Sequence, residues 1–529
     1  MSDLKQTEQI RLRLQAELDD EKTMLERNQM GQYATPPSLA EQILKHGLSL
    51  LDQNKNVRFL DPAFGTGSFF SALLKTMGDH QLSSATAFEI DAHYGDPAQK
   101  LWGRENINLK LEDFTRLTPK PTEKSNLVIC NPPYVRHQHI ASGEKQRLQL
   151  DTYNACGHKL SGLAGLYCYF LGLTHKWLEP GAISGWLIPS EFMTVNYGRE
   201  IKDYLLKEVT LLQIHRFNPK DAQFNDALVS SAVVWFKNEP PTNTHQVKFS
   251  FGGSLEKPTN TRIIPHQDLS SMDKWTRYPE KGVREKTQGP TLGDLFYIKR
   301  GIATGDNKFF ILTLDEIKKR GLPLECFRPV LPSSRYLKND VIQADENGWP
   351  LLDRKLFVLD TDLPEEMLKA TYPRLAAYLE SGRAGEAPVT ERYICRHRKL
   401  WYSQETRPAA PILCTYMGRG SATSRPFRFI LNYSDATACN VFLMLYPKPS
   451  LQAAIELDPD LIKRIWRDLN DIEPEKLLSY GRVYGGGLYK LEPKELRSIP
   501  VKGIENLAQH SEVSHVPADT ARVRALTAA

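Results

Sequence analysis

The stretch Val57-Arg-Phe-Leu-Asp-Pro-Ala-Phe-Gly-Thr-Gly-Ser-Phe-Phe-Ser-Ala-Leu-Leu74 reads as a short strand, a glycine turn and the start of a helix. Residues 57–60 suit a buried strand, and Phe69, Phe70, Ala72, Leu73 and Leu74 continue as a helical apolar pattern. Gly65 and Gly67 permit unusual backbone angles and close approach of a ligand, while the helix start offers free N–H groups to a carboxylate. This is the opening of a Rossmann-like unit. The next expected strand, residues 85–90, carries an acid at Glu89, close to the roughly twenty-residue offset at which such folds hold ribose hydroxyls. A third, 106–109, leads to Glu112-Asp113-Phe114, an acid and an aromatic that could hold and cover an adenine ring. There is no Gly-Lys-Ser/Thr after the turn, so a nucleoside triphosphate is not favoured.

Asn126-Leu-Val-Ile-Cys-Asn-Pro-Pro-Tyr134 is an apolar run that stops at a rigid polar corner. Leu127 to Cys130 suit a strand covered on both faces, and Pro132 and Pro133 donate no backbone N–H and restrict φ. The side-chain oxygen of Asn131 and a backbone carbonyl offer two fixed acceptors spaced for an amino group, with the Tyr134 ring beside them to stack on a planar base. Taken alone, the tetrapeptide is equally readable as turn punctuation.

Ahead of the glycine turn, Gly31-Gln-Tyr-Ala-Thr-Pro-Pro-Ser38 enters a helix with Ser38 available as N-cap and Leu39, Ile43, Leu44, Leu48 and Leu51 on one face. Residues 3–30 read as a solvated helical arm packing a thin stripe of Leu14, Leu18, Met24 and Leu25. After the corner, residues 135–161 show no clear period and read as a mobile loop whose Arg136, His137, His139, Lys145 and Arg147 touch phosphates. No carboxylate or cysteine completes a metal set with the two histidines. A helix (166–177), a Pro180-Gly181 turn, a strand (182–188), a helix (199–209), strands 211–217 and 228–236 and an edge at 246–251 continue the alternation. Phe224 is expected at the same sheet end as the corner.

At 529 residues, with 25% charged and 41% hydrophobic residues, the chain is a soluble globular protein of more than one domain. Residues 1–30 are expected as the arm, 31–255 as the first domain, 256–290 as a linker, 291–505 as a second domain and 506–529 as a tail. No apolar run is long enough for a bilayer and the opening has no secretory segment, so the expected location is the cytoplasm, with no membrane partner. Seven cysteines without a Cys-x-x-Cys pair point to reduced thiols and away from structural zinc. The net charge of +5 permits nucleic acid as a partner without demanding it.

The second domain holds Gly301-Ile-Ala-Thr-Gly-Asp-Asn-Lys308 and a basic, aromatic run of Arg392, Tyr393, Arg396, His397, Arg398, Lys399, Trp401 and Tyr402. Tyr416, Arg419, Arg425, Arg428 and Tyr484-Gly-Gly-Gly-Leu-Tyr489 follow. Basic residues interleaved with aromatics suit a surface that tracks phosphates and reads bases; the alternative is an ordinary basic surface.

Thr35-Pro-Pro, Asp61-Pro-Ala-Phe-Gly-Thr-Gly, Phe88-Glu-Ile, Glu112-Asp-Phe and Asn131-Pro-Pro-Tyr, in this order, resemble the gamma-order adenine-N6 DNA methyltransferases of the TaqI-like group. The resemblance implies an α/β, Rossmann-like S-adenosylmethionine-dependent domain followed by an α+β target-recognition domain. It implies that Thr35, Asp61, Ala63, Gly65 and Gly67 hold the methionine part of S-adenosylmethionine, Glu89 the ribose, and Asp113 with Ile90 and Phe114 the adenine. Asn131, Pro132, Pro133 and Tyr134 become the catalytic corner, with Tyr134 and Phe224 against a flipped-out base, Phe217 being the competitor for the second place. Arg136, His137, Arg396, Arg398, Lys399 and Arg419 become contacts to double-stranded DNA. The implied setting is a monomeric modification enzyme of a restriction-modification system, with a separate cognate restriction endonuclease. Methylation of a protein glutamine amide, cytosine-N4 methylation of DNA, and a DNA-binding module with a silent cofactor fold are the rival readings.

Overall fold

The strand expected at Val57 is β1 (Val57–Asp61), and in the computed structural model it sits inside a nine-stranded sheet. The structure describes residues 2–52, 56–218, 230–271, 274–278, 290–419, 425–484 and 488–501. The other strands are β2 (Leu82–Phe88), β3 (Asn108–Lys110), β4 (Ser125–Cys130), β5 (Leu178–Pro189), β6 (Thr210–Arg216), β7 (Ser231–Lys237), β8 (Gln246–Gly253) and β9 (Pro258–Pro265). Their spatial order is β3-β2-β1-β4-β5-β7-β6-β8-β9. The first five run parallel, and β7 inserts antiparallel between β5 and β6.

Helices α1 (Ser2–Asp20), α2 (Met24–Met30), α3 (Pro37–Leu50), α4 (Ser68–Thr76), α5 (Ala92–Trp102), α6 (Ser142–Cys156), α7 (Leu166–Leu173) and α8 (Arg199–Lys207) belong to the same unit. Alternate residues of β4 enter different cores: Leu127 and Ile129 pack with α3 and α4, whereas Val128 and Cys130 pack with α7 and α8. Side chains buried on both faces favour an apolar run, which is why Leu127 to Cys130 lack alternation, while the buried amide of Asn126 is paired with the backbone of Asn56 and Arg58. Chain connections leave β1 and β4 toward opposite edges of the sheet. The crevice beyond their carboxyl ends is therefore a topological switch point, the usual ligand position in open α/β sheets.

Several expectations are corrected. Residues 135–161 are not a mobile loop, since they contain a short 3₁₀ turn and the fifteen-residue α6, capped by Gly157 at φ 76°. Only Leu148, Thr152 and Cys156 of α6 are buried, so its charged outer face hides the helical period. The linker expected at 256–290 begins instead with β9, paired antiparallel to β8, so β8 is not the edge. Ile264 is the one buried residue of β9, and an exposed edge strand shows little apolar alternation. Pro180 and Gly181 lie within β5, where the register shifts against β4, and α3 starts at Pro37 with Pro36 in the N-cap position rather than Ser38. The arm is less solvated than its composition suggests: Arg11 and Glu8 are buried, whereas Met24 and Leu25 are exposed.

The second unit begins near residue 284. It holds a five-stranded sheet (Phe296–Arg300, Phe442–Pro447, Ile412–Thr415, Phe429–Asn432, Val341–Ile342), a four-stranded sheet and an antiparallel strand pair (Met417–Arg419, Leu488–Lys490), with short helices between, an α+β arrangement. No helix among the described residues is long and apolar enough to cross a membrane.

Candidate functional site

The glycine turn and the Asn-Pro-Pro-Tyr corner open into one cavity of about 520 Å³ at the carboxyl ends of β1 and β4. Of the residues expected to form a site, Thr35, Ala63, Gly65, Glu89, Ile90, Asp113, Phe114, Asn131 and Pro133 line it. Asp61, Gly67, Pro132 and Tyr134 do not line it, although each is next in the chain to a residue that does.

Gly65 and Gly67 both adopt positive φ, 57° and 91°. Their jobs differ. A Cβ on Gly67 would lie 2.6 Å from the Trp102 indole nitrogen and 2.7 Å from Phe64, so packing demands glycine there. A Cβ on Gly65 would meet nothing within 4 Å, because that side of the turn faces the cavity. The Gly65 N–H donates to Glu89 Oε2 at 2.8 Å, and Asp91 N–H donates to Glu89 Oε1 at 2.9 Å, fixing the acid expected at the ribose position. Burial raises the Glu89 pKa against these hydrogen bonds. Asp61 is fully buried; one of its oxygens accepts from Ala63 N–H at 3.1 Å and the other has no partner in the protein. Burial, with Glu89 adding like charge, pushes its carboxyl well above the usual range. Glu89, half-buried on the cavity wall, and Asp61, fully buried and close enough to feel its charge, make no ion pair with a basic side chain among the described residues, and such a pair of acids suits a positively charged ligand.

At the corner, the Asn131 amide nitrogen donates to the Tyr33 carbonyl at 2.9 Å and to Thr35 Oγ1 at 3.1 Å. A carbonyl can only accept, so this pair fixes which end of the amide faces which way. The Asn131 oxygen is thereby held buried with no protein partner. A buried acceptor left open in this way costs stability unless a donor arrives.

Tyr134 behaves differently from the expectation of an open stacking ring. It is 9% exposed, packs with the α3 side of the core, and its hydroxyl donates to the Leu187 carbonyl at 2.9 Å. Tyr33, whose ring centroid lies 5.8 Å away, is the aromatic of this pair that lines the cavity. Phe217 is in the core, 3% exposed, and Phe224 lies outside the described residues.

Phe114 packs among Phe88, Phe170 and Trp177 with ring centroids 5.5 Å away, leaving one edge on the cavity. Asp113 caps the following turn, accepting from the Thr115 N–H at 2.9 Å and from Arg116 Nε at 3.2 Å, so any further partner must share its lone pairs. Arg147 is not free for phosphates; it is spent on Glu144, Asp151 and the Thr115 carbonyl. His139, rather than His137, reaches the cavity, and Arg136 is exposed beside the corner. Sequence reasoning missed Gln15 and Asp19 of α1, which also line it, because charged and amide residues on an arm resemble a solvated face.

In the second unit the basic, aromatic run separates into two groups. Tyr402 and Cys395 are in the core, and Arg398 is half-buried with its guanidinium on the Ala303 carbonyl at 2.7 Å and Gln404 Oε1 at 3.0 Å. Arg392, Tyr393, Arg396 and Lys399 are exposed. Arg419 lies in the strand Met417–Arg419, and its side chain is outside what is described.

Residues 67–224 match the family model of the Eco57I restriction-modification methylase, and residues 280–528 match that of the C-terminal domain of type II methyltransferase M.Eco57I. The chain is 29% identical over 470 residues to the type II methyltransferase M.XamI of Xanthomonas campestris pv. amaranthicola, covering 87% of this chain and 83% of that one. It is 27% identical over 489 residues to M.AccI of Acinetobacter calcoaceticus, covering 89% and 85%. Among solved structures, the type IIL restriction-modification enzyme MmeI in complex with DNA is similar at a TM-score of 0.49 and 13% identity; the likeness covers 83% of this chain and 61% of that one. With its methylase segment and its C-terminal segment each matched, and its relatives matched through most of their length, the chain belongs to the type II DNA methyltransferases of restriction-modification systems.

Proposed function

We propose that this chain transfers a methyl group from S-adenosylmethionine to the exocyclic N6 of an adenine flipped out of double-stranded DNA, as a monomeric modification enzyme beside a separate restriction endonuclease. The observation that carries the reading is the Asn131 oxygen, buried without a protein partner and oriented by two hydrogen bonds of its own amide, on a residue that lines the cavity. The cofactor supplies a methyl group on a sulfonium. The cradle at Gly65, the unpartnered oxygen of Asp61 and the acid at Glu89 fit such a cation, with Ile90, Asp113 and Phe114 around its adenine.

An exocyclic amine conjugated to its ring is a poor nucleophile. Asn131 Oδ1 and the Pro132 carbonyl, accepting one N–H each, hold that nitrogen in a more tetrahedral form with its lone pair aimed at the methyl group. Positioning and two oriented dipoles do the work, and the proton can leave to water after transfer. A base stacked in a duplex cannot reach such an enclosed corner. Flipping costs a few kcal/mol, offset by interactions made once the base is out. Tyr33 supplies aromatic surface at the corner, with Tyr134 packed beside it in the core.

The test is single-turnover methylation of duplex DNA. Asn131→Ala should lower the rate by about two to three orders of magnitude, the scale of one missing oriented hydrogen-bonding group, with S-adenosylmethionine affinity nearly intact. A fully active Asn131→Ala protein would sink the mechanism.

A further inference from the structure

Helix α1 meets the glycine turn through a buried charge pair. Arg11, 1% exposed, forks onto Glu8, Nε to Oε2 at 2.7 Å and Nη2 to Oε1 at 2.9 Å. Its remaining terminal nitrogen donates to Thr66 Oγ1 at 3.2 Å and Ser68 Oγ at 3.0 Å. Glu8 in turn accepts from Ser71 Oγ at 2.6 Å, on the first turn of α4. Thr66 passes the connection on: its hydroxyl donates to Gln15 Oε1 at 2.6 Å, and Gln15 Nε2 donates to Asp19 Oδ1 at 3.0 Å. Asp19 also accepts from the Tyr94 hydroxyl at 2.8 Å, on α5. Gln15, Asp19, Thr66 and Ser68 all line the cavity.

Thr66 stands between two glycines at positive φ, so its own backbone does little to fix the turn. The ties come from outside: the Thr66 carbonyl accepts from Trp102 Nε1 at 2.9 Å, and its hydroxyl is held by Arg11 and Gln15. A full ion pair is expensive to bury for the anchoring of an arm alone, where apolar residues would serve as well. The arm also lies outside both matched family segments, which begin at 67 and 280.

We propose that Arg11 is a positioning residue for the cofactor-binding turn, and that the N-terminal arm, through Gln15 and Asp19, is a wall of the cofactor site. The proposal rests on the reading of this cavity as the S-adenosylmethionine site. With the turn held in its binding conformation beforehand, less ordering is left for the cofactor to accomplish. Coupling is reciprocal, so bound cofactor must in turn hold the arm closed.

The experiment uses full-length protein and S-adenosylmethionine itself. Arg11→Met should weaken binding by calorimetry about tenfold or more, the scale of a missing charge-assisted hydrogen bond, with the loss falling on KM for S-adenosylmethionine far more than on kcat. Arg11→Lys should recover part of it. Gln15→Leu, at a half-buried position, should weaken binding in the same direction. In the wild type, saturating cofactor should slow amide exchange in α1 beyond any slowing in the second unit. That readout holds even if the Arg11 variants fail to fold. A lowered Tm for Arg11→Met with unchanged cofactor affinity, or α1 exchange indifferent to cofactor, would overturn the proposal. A wild-type chain that does not bind S-adenosylmethionine would overturn the cofactor reading and this inference with it.

Discussion

Asp61 and Glu89 are the residues at which chemistry and stability oppose each other. Burial raises the pKa of both, so each carboxylate costs stability as pH rises through its folded-state value, and each is relieved by protonation at lower pH. A cationic ligand relieves them in a different way, by stabilising the charged form. Binding S-adenosylmethionine should therefore lower both pKa values and release protons. On the acid side of neutrality its affinity should fall as pH falls, because protons then compete with it. Calorimetry in buffers of different ionisation heat measures the protons released, and uptake of protons would have the wrong sign for this site. The positions of these acids were legible in the sequence, Asp61 closing β1 ahead of the glycine turn and Glu89 following β2 after it. The burial of Tyr134 was not, because the Leu187 carbonyl that takes its hydroxyl comes from a strand more than fifty residues away.

The glycine turn between β1 and α4 shows how one element divides its duties. Gly67→Ala drives a Cβ into Trp102 and Phe64 at positive φ, so it should destabilise the fold by about 2 kcal/mol or more. Gly65→Ala meets no protein atom and should cost only about 1 kcal/mol in conformational strain, yet it puts a methyl group into the cavity and should weaken cofactor binding. Thermal melts and calorimetry on the two variants should give opposite orders of severity; the same order in both would mean that Gly65 does not face the ligand. A strand buried on both faces announced itself as an unbroken apolar run, Leu127 to Cys130 of β4. Elements with one thin buried face did not: α6 buries only Leu148, Thr152 and Cys156, and β9 only Ile264. For the same reason the Arg11–Glu8 pair of α1 was invisible, as a sequence does not distinguish a buried charge from a solvated one.

For the whole molecule, family models match segments in both halves of the chain, and we propose that the second half recognises DNA. Its exposed cations, Arg396 and Lys399, are the test. Neutralising both should weaken duplex binding and reduce its salt slope by roughly 0.9 for each phosphate no longer neutralised, with cofactor affinity unchanged. Arg398→Ala should instead lower the Tm, because that guanidinium ties Ala303 to Gln404. An unchanged slope in the double variant would show that this face does not meet phosphate. Methylation of adenine N6 through Asn131 is read out by modified-base sequencing of DNA from a host expressing the chain, beside the same host expressing Asn131→Ala. N6-methyladenine should occur at one short recurring sequence with the parent chain and disappear with the variant; N4-methylcytosine at that sequence, or no modified base at all, would rule this chemistry out.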